Sequence, residues 1–220
     1  MREIEYLKHR DIGILGPSLM GKQLNKAVFI DKDGTLIPDI PYNVDPSRIS
    51  LENNMVQGLK YLQSHGYLLV IISNQSGIAQ GYFTEEEFIA AQKKIEQLLK
   101  SQAIRLNGFY YCPHHPDGII KEYSFACDCR KPESGLLLRA SSDLNIDLSS
   151  SWMLGDILND VEAGNKAGCR TILIDNGNET EWLMTPERRP NYIVKTINDA
   201  AGHIIRENIS ISVNHDKKVV

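Results

Sequence analysis

The sequence predicts an α/β protein, a three-layer α/β/α sandwich in which helices cover both faces of a mainly parallel sheet. Two observations carry this. Short apolar runs recur along the chain, at "AVFI" (27–30), "YLLVII" (67–72), "GFYYC" (108–112), "SWMLG" (151–155), "TILID" (171–175) and "NYIV" (191–194). They are continuous rather than alternating, as strands buried on both faces are, and helical patterns lie between them.

The helices follow in the order an open α/β sheet requires. "TEEEFIAAQKKIEQLLKSQ" (84–102) opens on a Thr84 and Glu87 capping box and places Phe88, Ala91, Ile95, Leu98 and Leu99 on one face. Further helices are expected at about 53–65, 135–144, 158–167 and 196–206. The domain is expected to occupy 27–206, with an N-terminal extension (1–26) and a C-terminal tail (207–220) outside it. No internal repeat or low-complexity segment is visible.

Composition narrows the function. The 220 residues are 42% hydrophobic and 24% charged, ordinary for a globular domain. A net charge of −4 gives no basic field for a nucleic-acid backbone or an anionic membrane surface. The longest apolar run is far shorter than the roughly 20 residues a membrane helix needs, and the first residues lack a signal-peptide core. A cytoplasmic protein is expected, a monomer or small homo-oligomer acting on a small molecule, with neither nucleic-acid nor membrane partners.

One motif is a decoy. "GPSLMGKQ" (16–23) approaches a phosphate-cradling loop, but Gln23 stands where a hydroxyl should hold magnesium. Only "LNK" separates it from the next strand, so no helix N-terminus could face a phosphate.

The chemistry gathers at strand ends. Asp31 closes the "VFI" strand, where an open α/β sheet binds its ligands, and Asp33 follows around a turn that Gly34 permits. A calcium loop is excluded, because its fifth, sixth and twelfth positions hold Thr35, Leu36 and Tyr42. "MLGDILND" (153–160) repeats the arrangement, with Asp156 after an apolar strand and Asp160 one helical turn on. Carboxylates meeting at one edge raise each other's pKa unless a cation compensates them. Magnesium, which prefers a few carboxylates, water and phosphate oxygens, is the natural cation.

"DKDGTL" (31–36), "SNQSG" (73–77), "CRKP" (129–132) and "GDILND" (155–160) occur in the order and spacing of the haloacid dehalogenase-like phosphatases. From about 27 to 195 the chain resembles that superfamily, and within it the branch of heptose 1,7-bisphosphate 7-phosphatases and histidinol phosphatases. The resemblance implies a Rossmann-like sheet and a magnesium-dependent phosphomonoesterase. Asp31 matches the nucleophile that becomes an aspartyl-phosphate, and Asp33 the acid that protonates the leaving oxygen and then activates water. Magnesium would be held by Asp31, the backbone carbonyl of Asp33, and Asp156.

Phosphoryl transfer is catalysed mostly by positioning and charge compensation. Lys131 would lower the repulsion between a carboxylate and a phosphate, and Ser73 would hydrogen-bond a phosphoryl oxygen. Arg130 offers a planar fork for a second phosphate or a hydroxyl.

"CPHHP" (112–116) and "CDCRKP" (127–132) supply Cys112, His114, Cys127 and Cys129. Three thiolates and an imidazole close a tetrahedron around Zn2+ with no position open to water, which makes the site structural. Either His114 or His115 could reach the metal; the C-x-H spacing of the related enzymes favours His114. The zinc would staple the loop that ends in Arg130 and Lys131. Cys169 is outside the set and is expected to be a buried apolar residue.

The gap from Leu36 to about Leu51 is too short for a cap domain, and the second gap is filled by the 84–102 helix, a strand and the zinc loop. Specificity then falls to short loops, with Asp39, Tyr42, Asn74, Gln75 and Ser76, together with Ser73, Arg130 and Lys131, as substrate-binding candidates. Asp39 and Tyr42 keep the spacing of the heptose enzymes. Those enzymes commonly carry a basic residue after the fourth-motif Asp, where this chain has Ile157, which bears on a second phosphate. The expected substrate is D-glycero-D-manno-heptose 1,7-bisphosphate, cleaved at the 7-phosphate, with histidinol phosphate as the alternative. A zinc-stabilised interaction protein without catalysis is the competing class, disfavoured by the presence of every catalytic position.

Overall fold

A computed structural model describes residues 24–216, with side chains to residue 208. The phosphate-loop look-alike at 16–23 lies outside them. Six parallel strands form one sheet in the order β3-β2-β1-β4-β5-β6, with β1 at Lys26–Ile30, β2 at Tyr67–Asn74, β3 at Gly108–Cys112, β4 at Trp152–Gly155, β5 at Arg170–Ile174 and β6 at Tyr192–Val194. This is the Rossmann-like fold. The pleat sorts each strand's side chains between two cores. Val28, Ile30, Leu69, Ile71, Trp152 and Leu154 face one, and Ala27, Phe29, Val70, Ile72 and Met153 the other. Both faces are apolar because both are covered, which is why the strands read as unbroken apolar runs.

The first face is covered by α1 (Val56–Ser64), α3 (Glu85–Ser101) and α6 (Ile197–Asp216), the second by α4 (Gly135–Leu144) and α5 (Leu158–Ala167). In α3, Phe88, Ala91, Ile95 and Leu99 are buried and Leu98 packs at their margin. Its N-terminus is closed reciprocally: Thr84 Oγ1 accepts from the Glu87 N–H at 3.2 Å and Glu87 Oε2 accepts from the Thr84 N–H at 2.7 Å. Thr84→Ala is therefore expected to cost about 1 kcal/mol, read as a fall in thermal midpoint of about 2–4 °C; an unchanged midpoint would show that the cap contributes nothing.

Two elements depart from the sequence reading. A four-residue helix, α2 (Ser76–Ala79), follows β2 directly and is too short to carry a period. The last helix runs to Asp216 rather than ending near 206, since no glycine or proline follows Gly202 to stop it. Between Leu36 and Leu51 the described structure holds a one-bridge turn at Ile37, a turn closed by the Asn43 N–H donating to the Ile40 carbonyl at 3.1 Å, and a 3-10 turn at Pro46–Arg48.

Candidate active site and metal centres

Parallel pairing brings the strand ends to a common edge. Ile30 pairs with Ile71 and Leu154, so Asp31, Ser73 and Asp156 emerge side by side at the carboxyl edge, and Asn74 pairs with Cys112 next to them. Asp31 is anchored by its own N–H donating to the Leu154 carbonyl at 2.9 Å. Gly34 has φ +78° and a Cβ there would fall 2.0 Å from Asp156 Oδ2, so only glycine fits this turn. Gly155 is equally constrained, because a Cβ would meet the Asp160 side chain at 2.2 Å.

Carboxylate oxygens of Asp31, Asp156 and Asp160 converge within 4.8 Å of one another, all three residues buried. Lys131 Nζ sits among them. It donates to Asp31 Oδ1, meets Asp160 Oδ1 at 2.6 Å and donates to the Ile72 carbonyl at 3.1 Å. Burial alone would lower the Lys131 pKa, but the charges of Asp160 and Asp31 hold it well above the usual lysine range. Asp31 is pushed well above the usual carboxylate range, first by burial; Lys131 opposes the shift while Asp160, Asp156 and Asp33 add to it. Asp156 is pushed up to about 6 by burial and by Asp160, against hydrogen bonds from Asn178 and Thr35. One ammonium against three buried carboxylates leaves the cluster short of positive charge, and hard carboxylate oxygens at this spacing fit a magnesium ion.

Asp33 points elsewhere. Its Oδ1 pairs with Lys32 Nζ at 2.7 Å and its Oδ2 accepts from Gln75 Nε2 at 3.0 Å. Gln75 Nε2 also donates to Ser73 Oγ at 2.8 Å. Lys32, Asp33 and Gln75 border a cleft of about 290 Å³ that Asp39, Tyr42, Asn74 and Ser76 also line; Ser73 lies buried behind Gln75. Asn74 spends its amide on Lys131, donating to its carbonyl at 3.0 Å and accepting from its N–H at 3.0 Å. Arg130 lines a separate cleft of about 340 Å³ with Lys131, His115 and Glu133. Its Nη1 is buried without a hydrogen-bond partner among the described residues, as a group that awaits an anion would be.

A second cluster adjoins the first. Cys129 Sγ lies 3.1 Å from Cys112 Sγ, 3.2 Å from Cys127 Sγ and 3.3 Å from His114 Nδ1. His115 is turned away, its Nδ1 accepting from the Asp117 N–H at 3.1 Å. Three thiols so close cannot ionise alike without a cation: shared hydrogen bonding holds Cys129 down to about 5 while pushing Cys112 far up. Soft thiolates plus one imidazole, all four in mutual reach, fit a tetrahedral Zn2+. Cys169 is outside this group, in the apolar core, its thiol pushed up to about 12 by burial.

The structure brings to the site three residues to which the sequence reading assigns no role. Asp160 carried a signal, as the second acid of "GDILND". Lys32, 2% exposed beside Asp33, and Asn178, on the loop after β5, carried none.

A Rossmann-like sheet with carboxylates after β1 and β4 and a lysine between them is the layout of a haloacid dehalogenase-like hydrolase. The HAD-hydrolase-like family model matches residues 128–200. The chain is 44% identical over 187 residues to the D-glycero-beta-D-manno-heptose-1,7-bisphosphate 7-phosphatase of Haemophilus ducreyi, covering 84% of this chain and 100% of that one. It is 40% identical over 177 residues to the Pasteurella multocida protein of the same name, covering 80% and 95%. The D,D-heptose 1,7-bisphosphate phosphatase of B. bronchiseptica, crystallised with magnesium and phosphate, shares the fold at a TM-score of 0.68 and 24% identity, over 83% of this chain and 99% of that one. The chain belongs to the haloacid dehalogenase-like phosphatases, in the branch of these heptose bisphosphate phosphatases, and is a hydrolase.

Proposed function

We propose that the protein hydrolyses D-glycero-D-manno-heptose 1,7-bisphosphate at its 7-phosphate through an aspartyl-phosphate on Asp31. The observation that carries this is the buried Asp31 carboxylate, held by Lys131 at the carboxyl edge of the sheet beside Asp156. A bond forms from the Asp31 carboxylate to phosphorus as the ester P–O bond breaks, and the leaving oxygen takes a proton from Asp33. Asp33 then removes a proton from water, whose oxygen attacks phosphorus, and phosphate departs with Asp31 restored. Lys131 offsets the charge that accumulates on the phosphoryl oxygens, and Ser73, held by Gln75, hydrogen-bonds one of them. Magnesium would be held by Asp31, the Asp33 carbonyl and Asp156, and supplies further positive charge to the phosphoryl group when bound.

The unpartnered Arg130 Nη1 supports a substrate with a second anionic group. Ile157, apolar where a base is common, favours a second reading in which histidinol phosphate, with one phosphate, is taken. Asp39, Tyr42, Asn74, Gln75 and Ser76 are read as substrate-loop residues, Asn74 acting through Lys131. Zn2+ on Cys112, His114, Cys127 and Cys129 is structural in this reading. We read the domain as 27–206 without a large cap, acting in the cytoplasm as a monomer or small homo-oligomer. Among the described residues no helix is long and apolar enough to cross a membrane. Phosphate release from both substrates, with and without magnesium, tests the reading. Release from the heptose bisphosphate only with magnesium is expected; preference for histidinol phosphate would replace the first substrate with the second.

The acid cluster also sets a pH dependence. The folded pKa of Asp156, about 6, stands above its ordinary value of 3.8. Between those values the folded state binds more protons than the unfolded, so this group's contribution to stability falls as pH rises through the window. Protons and magnesium compete for the same oxygens. Magnesium at about a hundred times its dissociation constant should therefore raise the melting temperature by about 5–10 °C near neutrality, and much less near pH 5. Equal gains at both pH values would refute the competition.

A further inference from the structure

The loop after β5, "DNGNET" (175–180), reaches the acid cluster through Asn178, and its fastenings are specific. Asn176 Nδ2 donates to the Gly34 carbonyl at 2.6 Å, in the turn that carries Asp31 and Asp33. Glu179 Oε2 accepts the Leu158 N–H at 2.7 Å, one of the open donors at the start of α5, and its Oε1 accepts the Glu181 N–H at 2.8 Å. Between these two anchors, Asn178 Nδ2 donates to Asp156 Oδ2 at 2.7 Å.

Asp156 is thereby held at both oxygens, since Thr35 Oγ1 donates to Oδ1 at 3.1 Å. The space around it is closed: the missing Cβ of Gly34 would fall 2.0 Å from Asp156 Oδ2 and 2.4 Å from Asn178 Nδ2, and Asp156 is 3% exposed. A carboxylate oxygen has two lone pairs, so one donor on each oxygen fixes the plane of the group and leaves one lone pair per oxygen for a cation. Ligating carboxylates work best when an outer hydrogen bond orients them.

We infer that Asn178 is a positioning residue for the reaction, orienting the Asp156 carboxylate for magnesium through its side-chain amide, with the 175–180 loop as its mount. The inference rests on the reading of Asp156 as a magnesium ligand. A loop that merely closes the surface would need Asn176 and Glu179, which fasten it to the backbone, but not a side-chain donor aimed at a buried carboxylate.

Isothermal titration of Mg2+ into the full-length, zinc-loaded protein tests it apart from turnover. Asn178→Ala is expected to weaken Mg2+ binding by about tenfold or more, with zinc content and far-ultraviolet dichroism as in wild type. Its kcat should recover when Mg2+ is raised to saturate the variant. Asn178→Ser, too short to reach Asp156, should behave in the same way. Trp182→Ala, on the same stretch without contact to Asp156, should bind Mg2+ within about twofold of wild type. Wild-type Mg2+ affinity in Asn178→Ala and Asn178→Ser, or equal weakening in Trp182→Ala, would overturn the inference and leave the reading of the site intact. A wild-type protein that takes up no Mg2+ would overturn both.

Discussion

Asp31→Asn is expected to lower phosphate release by at least about a thousandfold, because the amide is a far weaker nucleophile in a site otherwise intact. The same substitution should make the magnesium-free protein melt higher near neutral pH. Asp31 is buried and its pKa is raised well above the ordinary value, first by desolvation, so keeping it ionised costs the folded state stability once pH exceeds the unfolded pKa. The neutral amide removes that cost, and Lys131 retains Asp160 as a partner. Activity and stability thus move in opposite directions, as they do where a functional group is held against its preference. Phosphate assays paired with thermal melts check both. Substantial residual turnover would remove Asp31 as the nucleophile, and a lower melting temperature would show that its ion pair outweighs its desolvation.

The second large effect concerns the thiolate cluster. Cys129→Ser is expected to abolish stoichiometric zinc and to reduce activity by about a hundredfold or more, while far-ultraviolet dichroism keeps most of its native signal. The two large core clusters are built mainly of aliphatic side chains from strands and helices, so the sheet stands without the metal. The segment between His114 and Cys127 has few such contacts of its own. Its order rests on the Ile119 and Ile120 N–H groups donating to the Ala79 carbonyl at 2.8 and 2.9 Å, on Tyr123, whose hydroxyl donates to Glu85 at 3.1 Å, on Phe125 against His114 and, in the proposed reading, on the metal. Arg130 and Lys131 follow the last cysteine directly, so slack in this segment would pass straight to the pair proposed to bind phosphate. Metal analysis alongside kinetics decides the matter: a fully active, zinc-free variant would sever the link.

Much of this architecture is legible in the sequence because burial on both faces leaves unbroken apolar runs. All the strand positions lie within a residue or two of those runs. The α3 helix is the clearest case, since its period and its cap agree. What escapes is what pattern cannot encode. The four residues of α2 have no period, and the continuation of α6 past 206 shows only as the lack of a stop signal. At the site, Asp31, Asp33 and Asp156 are marked by their places after apolar strands. Asn178 is one polar residue in a polar loop, and only the fold shows that it reaches Asp156. Lys32 carries no signal in the sequence, yet it is enclosed between Asp33 and the ring of Phe88, 5.8 Å from the ring centre. Asn74, which sequence position suggests for substrate contact, has its amide committed to the Lys131 backbone in both directions.

Asp160 has a consequence for the whole reaction cycle. On the proposed route Asp31 becomes a mixed anhydride and then a carboxylate again, so its pull on the nearby ammonium alternates. Asp160, sealed from water, lies 2.6 Å from the same nitrogen and takes no part in the bond changes of that route. On that route the lysine would keep a partner through both half-reactions, and the next substrate would meet a pocket that needs no resetting.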